Sequence, residues 1–401
     1  MRVGIGILAA GVAVVAGMTT VTTASAQVAP SFTAEIAATG TYDSNVARGD
    51  AQVAAREHLT PQDGIFSPTL TVDLVRPIGA AALTVHGLFG YNFYDRNTIL
   101  NSASIDLNAG LRGRVGPCKG DLKGEYDQQQ SNLEDVTAGV VRNVLKTQSI
   151  VFDGSCPREI GFGPTVSLSE TAGNNSNPIQ NPNDYDTFKG AAGVAYTRPN
   201  FGELSLFGEY VRTQLPKSLV PVGTGQERNG YQVYSGGIRY DRRLGARIQG
   251  IFSITYTSLE PDIAGESKFA GPTYSADITF RVTGKIKAYL HADQALEPAT
   301  QLNTTYSVTQ NYFAEATYQP SSRLMLKLGV SSRIDDNKGT ILVNPLDLTH
   351  DTIGSIYGSV SLNVGRRLVL VLDLRQEDRT AKPAIYNYDD TRVSFTARAK
   401  F

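Results

Sequence analysis

Past its first 26 residues the chain repeats one pattern. Apolar and polar residues alternate with a period of two, and the runs are separated by Gly, Pro, Asn and Asp clusters. From Arg367 to Asp378, Leu368, Leu370, Leu372 and Leu374 share a face opposite Val369, Val371, Asp373, Arg375 and Glu377. From Arg323 to Arg333, Leu324, Leu326, Leu328 and Val330 oppose Arg323, Lys327, Ser331 and Arg333. From Ala103 to Arg114, Ile105, Leu107, Ala109 and Leu111 oppose Asp106, Asn108, Arg112 and Arg114. From Pro272 to Val282, Tyr274, Ala276, Ile278, Phe280 and Val282 oppose Ser275, Asp277, Thr279 and Arg281. Strand periodicity therefore dominates, with no helical period beside it.

A soluble sandwich explains any one of these strands. It does not explain the connections, which alternate between short and long. The short ones centre on 76–79, 116–117, 157–158, 199–202, 244–245, 283–284, 320–322 and 365–366. The long, polar ones lie near 43–64, 95–101, 129–143, 173–184, 215–228, 259–268, 297–303, 334–351 and 379–388. Short turns at one end and long loops at the other are the habit of a transmembrane antiparallel β-barrel. The spacing predicts an all-β barrel of about eighteen strands, or sixteen if the weakly alternating hairpin 144–172 is miscounted. Both chain ends then lie in the periplasm. Lipid offers no hydrogen bonds, so the sheet must close, and the polar face must turn inward to water.

That reasoning names the wall of the lumen: Asp106, Arg112, Arg114, Asp277, Arg281, Lys285, Lys287, His291, Lys327, Arg333, Asp373, Arg375, Glu377, Arg392 and Arg398. Charges on an interior face imply water or pairing. Tyr91, Tyr94, Tyr126, Tyr210, Tyr256, Tyr306 and Tyr318 fall near strand ends, where an interfacial girdle places such rings, though ordinary sheet aromatics account for them equally well.

The N-terminus adds a destination. Arg2, the apolar run Gly4–Met18 and Ala24-Ser25-Ala26 make a secretory leader, so residues 1–26 are expected to be removed and 27–401 to form the barrel. No later apolar run is long enough for a transmembrane helix. Charge is balanced, 37 basic against 38 acidic residues with no like-charge blocks, which argues against a nucleic-acid partner. The last strand alternates Val393, Phe395, Ala397, Ala399 and a terminal Phe401 against Arg392, Ser394, Thr396, Arg398 and Lys400. It resembles the terminal signal read by the outer-membrane assembly machinery, with Phe395 and Phe401 its aromatic positions.

Two cysteines remain. Cys118 follows the 116–117 turn and Cys156 precedes the 157–158 turn, on neighbouring strand ends. In an oxidising periplasm they are expected to form a disulfide, unless their Cα atoms lie beyond about 7 Å. Loop 129–143 carries Glu134 and Asp135, which would face the basic wall if that loop folds inward as a constriction; an exposed outer loop is the other reading. Asp43, Asn45 and Asp50, and the loop residues Asp335, Asp336 and Asn337, lack calcium-loop spacing and read as solvated turns rather than a metal site. His86 and His291 fall within strands, and His58 and His350 in loops. None sits beside a G-x-S-x-G or H-E-x-x-H motif, so no catalytic residue, metal or cofactor is expected.

Ala38-Thr39-Gly40-Thr41-Tyr42-Asp43-Ser44-Asn45-Val46 resembles the opening strand of proteobacterial outer-membrane β-barrel porin families. The likeness extends loosely to Phe401. Such barrels are often associated with exopolysaccharide secretion, so the resemblance implies a passive conduit for polysaccharide export, with periplasmic export proteins as possible partners beside outer-membrane lipid and lipopolysaccharide. Two alternatives stay open on the residues alone: a general diffusion porin for small hydrophilic solutes, and a structural or adhesive barrel with a closed lumen.

Overall fold

The computed structural model describes residues 29–131, 142–222, 224–298, 304–338 and 348–401. Its first nine strands are β1 (Ser31–Asp43), β2 (Asp63–Ile78), β3 (Ala81–Tyr94), β4 (Ser102–Val115), β5 (Cys118–Gln130), β6 (Val144–Ser155), β7 (Gly161–Asn175), β8 (Tyr185–Arg198) and β9 (Gly202–Val222). The next nine are β10 (Gly225–Leu244), β11 (Ile248–Pro261), β12 (Phe269–Arg281), β13 (Ile286–Pro298), β14 (Tyr306–Tyr318), β15 (Leu324–Lys338), β16 (His350–Val364), β17 (Leu368–Lys382) and β18 (Tyr388–Lys400). One helix, α1 (Ala51–Arg56), lies between β1 and β2, with Asp50 capping its first amides. Every strand pairs antiparallel with its sequence neighbours, and β18 pairs with β1, so the sheet closes with eighteen strands. Phe401 and Ala34 exchange backbone hydrogen bonds at the seam.

The register fixes the shape. Following hydrogen-bonded partners once round the wall returns to β1 about 22 residues further along, a stagger that tilts the strands by about 40° and makes the wall roughly 34 Å across. That is wide enough for a water-filled interior once side chains are added. Among the described residues no helix is long and apolar enough to cross a membrane.

The alternation sorts side chains as the sequence predicts. Ile36, Leu111, Leu328, Leu372 and Leu374 are exposed on the outer face, while Asp121, Thr213, Thr396 and Glu377 of the opposite parity are buried. From Phe32 to Tyr42 the outer face of β1 rises roughly 25 Å at this tilt, the height of the apolar band of an outer-membrane barrel. Tyr91, Tyr256 and Tyr318 are exposed on that face, near strand ends. Phe162, Tyr196, Phe201 and Tyr240 form a contiguous aromatic row at the short-turn end. Tyr94 and Tyr306 depart from the girdle expectation. Tyr94 packs against the buried cluster of Val46, Leu59 and Leu100, and Tyr306 is buried with Tyr231 and Leu259.

All eight short turns fall where the sequence places them, and Gly79 takes a positive φ in the first. Three loop expectations are corrected. Segment 215–228 is a continuation of the β9–β10 hairpin, its register shifting between Arg228 and Asn229. Asp335, Asp336 and Asn337 pair with Thr309, Val308 and Ser307 inside β15, and His350 opens β16, because both strands run higher than the polar residues suggest. Cys118 and Cys156 are bridged, with Cα atoms 3.9 Å apart, so the β4–β5 and β6–β7 turns are fastened together. The leader 1–26 and the acidic pair Glu134 and Asp135 lie outside the described residues.

Candidate functional site

Period-two alternation puts one face of every strand inside the cylinder, so the interior wall is the place to look for function. That wall is ionic, and many of its charges are paired, between neighbouring strands or two residues apart on one strand. On β4 to β7, Arg112 meets Asp121 at 2.8 Å, Lys123 lies 3.8 Å from Asp153, and the Ser167 hydroxyl donates to Asp153 at 2.8 Å. On β8 and β9, Lys189 meets Glu209 at 2.6 Å. On β12 and β13, the His291 ring lies between Asp277 (2.8 Å) and Asp293 (2.6 Å), with the Tyr289 hydroxyl donating to Asp277. On β14 to β16, Glu315 takes Lys327 at 3.2 Å and the Tyr357 hydroxyl at 2.7 Å. Near the short-turn end, Arg398 pairs with Glu35 at 2.8 Å.

The densest group lies at the long-loop end of β1, β17 and β18. Arg48 contacts Asp43 at 2.6 Å and Asp390 at 2.8 Å. Arg392 contacts Asp390 at 2.7 Å and Glu377 at 2.9 Å, and Arg375 contacts Glu377 at 2.6 Å. The Tyr388 hydroxyl also donates to Glu377, and its ring lies under the Arg48 guanidinium, 5.8 Å away. Three carboxylates and three guanidinium groups thus alternate in one chain of charge-assisted contacts. Nearby, Arg379 meets Asp351 at 2.9 Å, and Arg333 meets Asp335 at 2.7 Å.

Of the wall residues named from sequence, Arg112, Asp277, Lys327, Arg375, Arg392 and Arg398 fall in these pairs. Asp106 accepts from the Asn108 amide, Asp373 is half-buried, and Arg114 and Arg281 are exposed at the short-turn end. Parity alone did not reveal which acids would answer them. Asp121 and Glu315 are the partners of Arg112 and Lys327 from one strand away, and Asp293 that of His291 from two residues along the same strand; each was available as a same-face residue. Arg48 carried no signal, because it sits in a loop that no period governs. Asp43 corrects the reading of 43–50 as solvated turns. It is buried and paired, since Arg48 folds back over it. Phe395 and Phe401 are exposed on the outer face.

Among the described residues no group of three or more His, Cys, Asp or Glu is placed to hold a metal ion. Most of the described wall carboxylates named above have an adjacent cation or donor, which makes a polar lining.

No curated protein matches the chain. Three solved Pseudomonas aeruginosa structures are similar at the level of the fold: OccK11 (OpdR), 11% identical over 92% of this chain and 96% of its own, TM-score 0.48; the outer membrane protein opdK, 10% over 92% and 99%, TM-score 0.47; and OpdL, 11% over 93% and 98%, TM-score 0.49. Residues 219–401, which run from the β9–β10 hairpin to the C-terminus, match the family described as "Putative beta-barrel porin 2". That match covers less than half of the 401 residues, and a β-barrel porin is what this C-terminal part of the chain is similar to.

Proposed function

We propose that this chain is an outer-membrane porin, a passive diffusion channel for small hydrophilic solutes. The observation that carries the reading is the interior wall: charges of both signs, paired strand to strand, line a closed barrel of eighteen strands. Pairing holds these charges in an interior that must otherwise solvate them, and it leaves little net field to select one ion sign strongly. The polymer-export role implied by the opening-strand resemblance has no support in the family match, which names a porin, so the diffusion reading takes precedence. In the same reading residues 1–26 are a cleaved leader, and Phe395 and Phe401 serve recognition by the assembly machinery. The short turns and both termini then face the periplasm, and the outer face meets lipid and lipopolysaccharide.

Purified protein in a planar bilayer tests this directly. Stable conductance steps with weak ion selectivity, and swelling of loaded liposomes in small sugars, are expected. A silent bilayer with folded, inserted protein refutes the reading and favours a closed structural barrel. Loss of secreted polysaccharide on deletion would restore the export role.

A further inference from the structure

The segment between β1 and β2, residues 44–62, does not extend outward from the barrel. Its buried side-chain contacts are with inward-facing positions at the long-loop rim, while its last residue, Gln62, accepts from the outward Tyr42 hydroxyl where the chain returns to β2. Arg48 reaches Asp43 and Asp390, both on the inner face of their strands, and stacks on Tyr388 of the same face. Val46, Ala47, Ala54 and Leu59 bury one another against Leu100 and the inner side of Tyr94. The Asp50 amide donates to the Ile385 carbonyl across the seam, and the Ser44 hydroxyl to Asp390. A segment whose buried charge and apolar cluster are both seated on the inner side of the rim leans over the opening.

Two further observations make Arg48 its fixing point. Its side chain and those of Asp43 and Asp390 are nearly all buried, at 11%, 5% and 0% exposure, so the two ion pairs act with little screening. Arg48 and His58, which bracket the helical part, both hold positive φ, at 50° and 56°. Residues with a Cβ adopt that conformation rarely, and it persists where the surroundings over-determine it. Without the guanidinium, Asp43 and Asp390 would be left to share Arg392, 3.9 Å from one and 2.7 Å from the other, and their mutual repulsion beneath the segment would loosen it from the rim.

We propose that Arg48 is the positioning residue of an inward-folded insert, residues 44–62, that narrows this pore at its long-loop mouth. The proposal rests on the pore reading above, and it assigns the constriction to the first loop rather than to 129–143.

Three variants test it: R48A, R48K, and a replacement of 49–58 by Gly-Gly-Ser. Each is first shown to be folded by heat-modifiable migration on gels. Single-channel conductance and the largest sugar that swells liposomes are then measured. The replacement and R48A are both expected to raise conductance by at least about 1.5-fold and to admit larger sugars. R48K keeps the charge but not the two-pronged reach, and is expected to fall between R48A and the parent. Parental conductance in the replacement variant overturns the proposal, because the insert then narrows nothing. A raised conductance there with parental behaviour in R48A also overturns it, because Arg48 then positions nothing. If R48A does not fold, D390N removes one of its two anchors and is read the same way. A silent parent with a conducting replacement supports the insert while refuting an open resting pore; silence in both refutes both readings.

Discussion

Breaking the Cys118–Cys156 bridge should weaken this barrel without changing what passes through it. The bridge closes a 38-residue segment containing β5 and β6. Cross-linking a segment of that length removes chain entropy from the unfolded state worth about 4 kcal/mol at 25 °C, and measured losses for native bridges run about 2–5 kcal/mol. In the folded state little should move, because β5 and β6 stay paired from Lys119–Ser155 to Gln130–Val144 and keep their partners on both sides. The double variant C118S/C156S, unfolded by urea in detergent micelles and followed by tryptophan-free circular dichroism, should lose about 2–4 kcal/mol through a lower midpoint with an unchanged slope. Its bilayer conductance should equal that of the parent, since the bridge joins turns at the short-turn rim, away from the Arg48 cluster. An unchanged midpoint would refute the entropic argument. An altered conductance would show that the turns it fastens shape the pore.

Three other outcomes follow from the same geometry. Ile36 is exposed midway along the outer face of β1, so Ile36→Arg should cost about 2–4 kcal/mol in lipid, whereas Thr33→Arg, inward beside Asp73, should stay within about 0.5 kcal/mol; urea midpoints of the two in lipid vesicles would compare them. A Cβ on Gly329 would lie 2.3 Å from the Tyr357 ring, which Glu315 holds in place, so Gly329→Ala should cost about 1–3 kcal/mol, and Tyr357→Ala should recover part of it, as read by thermal unfolding. Glu266, in the β11–β12 loop, has its carboxyl pushed up to about 7, first by burial, against the hydrogen bond from Thr305 and with the Asp262 charge adding to the rise. The folded loop therefore holds a proton that the unfolded chain releases near 4.5, so this contribution to stability is complete below that pH and is lost as pH rises towards 7. Proteolysis within 262–268 should accordingly be faster at pH 8 than at pH 5, and Glu266→Gln should remove the difference; equal rates in the parent would contradict it.

Much of this protein follows from sequence because a membrane barrel obeys two strict local rules. A residue's parity decides whether it meets lipid or the interior, so Leu328 and Leu372 could be placed outside, and Lys327 and Arg375 inside, from a single strand each. Turns at one end must be short, so eight of them marked the strand count and set Cys118 beside Cys156. Neither rule reaches across strands or into loops. Which acid answers which base depends on register: Arg112 meets Asp121 only because β4 and β5 pair in that alignment. The polar run Asp335–Asn337 looked like loop because its hydrogen-bonding partners on β14, 26 to 30 residues away in sequence, are invisible locally. Arg48 is the extreme case. Its partners Asp43 and Asp390 come from opposite ends of the chain and become neighbours only when β18 closes on β1. Alternation determined the cylinder and its wet and greasy faces, while closure alone decided what stands in its mouth.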